Sequence, residues 1–187
     1  GEIQKVSMKD GMTRVEISKT DIAGKELPGA KLTIYDQDGK VVESWISEDK
    51  PHYMEMLPTG KYTLHEETAP DGYLVAEDVA FEVQETGEIQ KVTMKDDVTK
   101  VEISKTDIAG EELPGAKLTI HDKDGKVVES WTSGDKPHYI EMLPIGEYIL
   151  HEESAPDGYL VAEDIRFEVK NTGEIQKVTM KDEAEKP

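Results

Sequence analysis

Apolar and polar residues alternate in short runs along the chain, and turn residues separate the runs. Val15 and Ile17 alternate with Arg14, Glu16 and Ser18, and after Leu27-Pro-Gly29 the residues Ala30, Leu32 and Ile34 alternate with Lys31, Thr33 and Tyr35. A period of two is the signature of a half-buried strand. Further strands are predicted at 41–46, 53–56, 60–67, 78–83 and 89–95. Asp36-Gln-Asp-Gly39 reads as a hairpin turn, because Asp-Gly supplies the positive φ a tight turn needs. Seven short strands in under 90 residues, with no helical period, predict a β-sandwich.

The whole pattern then repeats. VEISKTDIAG at 15–24 returns at 101–110, an offset of 86, and 15–96 differs from 101–182 at 14 of 82 positions. GEIQKVSMKD at 1–10 matches GEIQKVTMKD at 87–96 and 173–182, so it reads as the last strand of a preceding repeat. The expected organisation is therefore 1–10 as that strand, modules at 11–97 and 98–183, and a tail at 184–187. The joints Asp10-Gly-Met-Thr-Arg14 and Asp96-Asp-Val-Thr-Lys100 are short and lack linker composition, which predicts a string of modules with restricted bending.

The two copies test which positions face inward. The non-conservative pairs Tyr35/His121, Lys61/Glu147, Ala80/Arg166 and Gln84/Lys170 fall on expected outer positions. Met54/Ile140 and Val79/Ile165 fall on inner ones and stay apolar, while Thr63/Ile149 puts an apolar residue outside. Against this background three charges face the wrong way. Lys19 shares a face with Val15 and Ile17, Glu66 with Tyr62 and Leu64, and Asp96 with Val92 and Met94; Lys105, Glu152 and Asp182 repeat the arrangement. A buried unpaired charge costs several kcal/mol. Three readings follow: the groups sit at a wet rim, form a buried salt-bridge triad, or condense, Lys with Asp, to an uncharged amide.

Composition narrows the function classes. Lys and Arg total 22 against 41 Asp and Glu, and the net charge of −19 repels nucleic acid and anionic membrane surfaces. No apolar run approaches a membrane span of about 20 residues. No signal peptide opens the sequence, so any targeting segment or anchor is expected outside it. Cysteine is absent, which excludes disulfides, thiol catalysis and Cys-ligated zinc. Asp36-Gln-Asp-Gly39 and Asp122-Lys-Asp-Gly125 lack the later ligands of a calcium loop. His52 and His138 are expected in a loop, and His65, His121 and His151 on outer faces, with no metal spacing among them. Trp45 and Trp131 are read as core or rim packing rather than sugar platforms. A Glu/Asp pair could serve a glycosidase, but modules this small leave little room for a cleft. Neither a metal nor another cofactor is expected.

The segment Tyr62-Thr-Leu-His-Glu66-Glu-Thr-Ala-Pro70-Asp-Gly-Tyr73 resembles the Glu-centred box of CnaB-type domains, also called SpaA-like or prealbumin-like, of Gram-positive adhesins and pilins. Ile17-Ser-Lys19-Thr-Asp21 and Val92-Thr-Met-Lys-Asp96 resemble the flanking motifs, and the likeness covers nearly all of both modules. It implies prealbumin-like or Ig-like sandwiches with a spontaneous isopeptide bond between first and last strands. The implied crosslinks are Lys19 to Asp96 and Lys105 to Asp182, with Glu66 and Glu152 catalytic. Many members carry Asn as acceptor; Asp stands at both places here, so water would leave. Of the doublets 66–67 and 152–153, strand phase and the spacing to Pro70 and Pro156 favour the first Glu. Asp10 resembles an acceptor without a donor. The implied role is that of stalk or shaft repeats in a cell-wall-anchored surface protein, monomeric, with adjacent repeats as partners and host matrix engaged through other domains. A module that itself binds a host ligand is the alternative. No turnover enzyme is implied, since the bond forms once and consumes its own side chains.

Overall fold

The computed structural model describes residues 1–8 and 10–187. They form fourteen strands and no helix, in two compact units: Gly1–Pro70 with Val75–Asp96, and Asp71–Leu74 with Asp97–Pro187.

The first unit holds β1 (Arg14–Asp21), β2 (Lys31–Asp36), β3 (Val41–Ile46), β4 (His52–Glu55), β5 (Gly60–Thr68), β6 (Val79–Val83) and β7 (Ile89–Asp96). Two sheets form, ordered β4-β1-β7 and β3-β2-β5-β6. β1 lies antiparallel to β4 and parallel to β7, with Ile17 opposite Val92 and Lys19 opposite Met94. The second unit repeats this with β8 (Lys100–Asp107), β9 (Lys117–Asp122), β10 (Val127–Thr132), β11 (His138–Glu141), β12 (Gly146–Ser154), β13 (Ile165–Val169) and β14 (Ile175–Asp182). Its sheets are β11-β8-β14 and β10-β9-β12-β13.

The alternation predicted from sequence governs the packing. Val15, Ile17 and Met94 on one sheet join Leu32, Ile34, Leu64 and Val83 on the other in a buried cluster; Val101, Ile103 and Met180 do so with Leu118, Ile120, Leu150 and Val169. Burial of such side chains stabilises each unit by about 1.5–3 kcal/mol apiece. Met54 and Ile140 are buried, and Val79 and Ile165 are half-buried against the clusters, as inner positions should be. Ile149 is half-buried and sits across from His121 on β9 and Arg166 on β13.

The Asp36 turn is a hairpin. Asp36 Oδ1 accepts from the Asp38 and Lys40 amides at 2.9 Å each, and Gly39 has φ 81°. Strand limits shift by a residue or two from expectation. The clearest correction concerns His52 and His138, which open β4 and β11 rather than lying in a loop, because each pairs with an isoleucine, Ile17 or Ile103. Each stacks on the half-buried Trp45 or Trp131, with ring centroids 4.2 and 4.3 Å apart. Met56, expected within the fourth strand, leaves it at φ 66° and is exposed. Residues 1–8 and Asp10 are exposed and carry no strand; Lys9, inside that segment, lies outside the described residues.

A candidate buried crosslinking site

Lys19, Glu66 and Asp96 are not at a rim. Their exposures are 3%, 1% and 1%, and those of Lys105, Glu152 and Asp182 are 2%, 1% and 1%. The sequence places them there by phase. Lys19 lies two residues beyond Ile17 on β1, and Asp96 two beyond Met94 on β7, so both point where the core points. The parallel register sets Lys19 opposite Met94 and therefore within reach of the next inward side chain, Asp96. Glu66 arrives from the facing sheet, on β5, in register with Leu32 on β2.

The Lys19 ammonium nitrogen contacts Asp96 Oδ1 directly and lies 3.2 Å from Glu66 Oε2. Lys105 contacts Asp182 Oδ1 and lies 3.0 Å from Glu152 Oε2. A backbone tether holds each Glu. Ala76 N–H donates to Glu66 Oε1 at 2.7 Å, and Ala162 N–H to Glu152 Oε1 at 2.7 Å. That leaves Oε2 of each Glu aimed at the amine. Glu66 Oε2 and Asp96 Oδ2 are buried and complete no hydrogen bond, and the same holds for Glu152 Oε2 and Asp182 Oδ2. A buried carboxylate that is incompletely partnered is favoured in its acid form. Burial accordingly raises the Asp96 carboxyl to about 7, with the Glu66 hydrogen bond adding to the rise and Lys19 opposing it. Burial raises Asp182 in the same direction, against the pull of Lys105.

This arrangement suits an amide condensation. An amine lies against a carboxyl whose acid form burial favours, and a second carboxyl stands beside the amine to carry protons. Glu67 lies outside the triad. It is exposed, and its Oε1 accepts from the Tyr35 hydroxyl at 3.2 Å. Asp10 is exposed and outside both triads. The resemblance implied that first and last strands meet, but the parallel direction of β1 and β7 and the Ala76 and Ala162 tethers were not foreseen. Neither has a local sequence signal, since strand partners are chosen by the packed sandwich and a backbone donor looks like any other residue.

The SpaA prealbumin-like fold domain model matches residues 13–98 and again 99–184. Among solved structures, the Bacillus anthracis TIE protein is similar at 37% identity over 92% of this chain, with TM-score 0.56. The chain spans 34% of that protein's length. A C-terminal fragment of the pilus adhesin SpaC from Lactobacillus rhamnosus GG shares the fold, with TM-score 0.52 and 16% identity over 92% of this chain and 98% of that one. No curated protein matches.

Proposed function

The chain belongs to the family of SpaA prealbumin-like fold domains, and we propose that it is a structural length of a Gram-positive cell-surface adhesin or pilin-like protein, each module locked by an isopeptide bond that it forms itself. The observation that carries this reading is the enclosed Lys-Glu-Asp triad, present twice with the same contacts.

In the reaction neutral Lys19 Nζ attacks Cγ of protonated Asp96. Glu66 hydrogen-bonds the acceptor and passes the amine proton to the departing hydroxyl. The N–Cγ bond forms, the Cγ–OH bond breaks, and water leaves. No electron is gained or lost and no cofactor enters. Lys105, Glu152 and Asp182 repeat the step. Holding the reactants in place contributes about 7–11 kcal/mol to such a step. The product amide also leaves the core without two ionisable groups, whose charged forms burial penalises.

The mechanical consequence follows from β1 and β7 being neighbours. Tension entering at the start of β1 reaches Lys19, crosses the amide and leaves at Asp96, the last residue of β7. Residues 20–95 stay outside the load path. On this reading the partners are adjacent repeats of the same protein, at the cell surface. A module serving as a spacer need not differ from its neighbour, and these two differ at 14 of 82 aligned positions.

Tryptic digestion followed by tandem mass spectrometry tests the reading. It predicts branched peptides joining Lys19 to Asp96 and Lys105 to Asp182. Recovery of linear peptides alone, cleaved after Lys19 and Lys105, would refute it.

A further inference from the structure

The second unit includes a strap drawn from an earlier part of the chain. Asp71–Leu74, which follow β5 and Pro70, group with Asp97–Pro187 rather than with the first unit. The strap pairs with 97–99: Leu74 N–H donates to the Asp97 carbonyl at 2.8 Å, and Thr99 N–H to the Gly72 carbonyl at 3.2 Å. It is seated at two points. Gly72, at φ 86°, is buried so close to the turn at Met142 that a Cβ on it would lie 2.5 Å from the Met142 carbonyl oxygen. Only glycine meets both the left-handed backbone and that approach. Leu74 Cδ1 packs beside Gly173, 3.6 Å from where a Cβ would stand.

The chain carries each half of this joint a second time, exposed. Asp157-Gly-Tyr-Leu160 repeats the strap residue for residue. It also pairs in the same way, with Leu160 N–H donating to the Glu183 carbonyl at 2.9 Å and Glu185 N–H to the Gly158 carbonyl at 2.8 Å. Gly158 keeps the φ of 86°, yet among the described residues nothing lies within 4 Å of a Cβ placed on it. Leu160 is 50% exposed, where Leu74 is half-buried. The receiving turn recurs as well. Met56 N–H donates to the Thr13 carbonyl at 2.9 Å as Met142 N–H does to that of Thr99, and both methionines hold a positive φ, 66° and 70°. Met56 is 72% exposed against 43% for Met142, and a Cβ on Gly87, the counterpart of Gly173, would meet nothing within 4 Å among the described residues.

We propose that these two exposed halves are an interaction surface for further repeats of this same sequence. The strap 157–160 seats on the Met142-type turn of a repeat that follows, and the turn at Met56 receives the strap of a repeat that precedes. The occupant is named by the joint the second unit already contains, since strap and seat keep the same residues in both copies: Gly72/Gly158, Leu74/Leu160, Met56/Met142 and Gly87/Gly173. A strap on one end and a seat on the other make a head-to-tail contact that can recur without limit. A continuous chain holds the two at high effective concentration, so a small contact suffices. The inference rests on the reading of the chain as stalk repeats and adds what joins one repeat to the next. It uses no residue of either triad.

The test compares two glycine variants of the full chain and then lengthens it. Gly72→Ala and Gly158→Ala meet the same backbone strain, but only the first also meets Met142. In Gly72→Ala the Leu74 and Thr99 amides should exchange faster by about tenfold or more beyond the effect of Gly158→Ala on Leu160 and Glu185. The Met142 methyl NMR signal should move toward that of Met56. In the second step residues 97–187 are appended after Asp182 in place of 183–187. The Leu160 methyl signals should then move to the positions of those of Leu74, and Gly158→Ala in the longer chain should reverse the move. Equal effects of the two glycine variants, or Leu160 signals unmoved by the added repeat, would overturn the proposal. The crosslinks are read separately by mass, so intact crosslinks with unmoved Leu160 signals would remove the joint and leave the stalk reading standing.

Discussion

Lys19 on β1 and Asp96 on the parallel neighbour β7 are offset by two residues in register, and their side chains meet beneath Glu66 of the opposite sheet. Sequence separation makes this pairing consequential. A bond there closes a 78-residue loop from 19 to 96, and the loop-entropy relation used for disulfides gives about 4.5 kcal/mol of stabilisation.

Glu66→Ala should leave Lys19 and Asp96 unreacted while module two closes normally, because each Glu contacts only the Lys of its own unit. The open module should lose about 4.5 kcal/mol and melt on the order of 20 °C lower. Glu67→Ala should react fully, since Glu67 is exposed and turned toward Tyr35. Intact mass and calorimetry of the two variants check this. The reverse pattern would mean that the second Glu of the doublet acts.

Lys19→Met traps module one open and exposes the proton linkage of Asp96. Burial and the Glu66 hydrogen bond hold this carboxyl at about 7 even with Lys19 opposing them, and removing Lys19 removes that opposition. The folded module then keeps a proton that the unfolded chain releases near pH 4. Its stability should be complete below about pH 4 and fall as pH rises through 7. Thermal melts from pH 4.5 to 8 should show module one of the variant melting lower at each step. A flat or rising trend would contradict the buried acid. In the crosslinked protein Asp96 is an amide and this dependence should vanish.

Asp10 should remain a free acid. Val6, Met8 and Asp10 repeat the spacing of Val92, Met94 and Asp96, but Asp10 is exposed and Lys19 is engaged by Asp96. An acceptor strand within its own module also has the advantage of effective concentration over one from another molecule. Denaturing gels should show no covalent dimer, and peptide mapping no crosslink at Asp10. A crosslinked peptide containing Asp10 would refute this.

The inward phase of the strands was legible in the sequence because a strand repeats every two residues, and this sufficed to single out Lys19, Glu66 and Asp96. Their convergence was not legible from the phase itself. Alternation says which side of a strand a residue faces, but not which strand lies next to it, and β1 and β7 are far apart in sequence with no hairpin to announce their pairing. The resemblance of the Glu66 segment and its flanking motifs supplied that link. The Trp45–His52 stack was missed for a related reason. Lys-Pro before His52 reads as a loop, and only the ladder to Ile17 extends the strand to it. Met56 at φ 66° has no glycine to signal a left-handed residue.

The central claim is that both triads have condensed, and the intact mass of the purified protein tests it most directly. Each bond expels one water, about 18 Da, so the protein should weigh about 36 Da less than its sequence. A deficit of about 18 Da would leave one module unreacted and contradict the equivalence of the two sites. A mass equal to that of the sequence would contradict the crosslink altogether, leaving two buried salt-bridge triads.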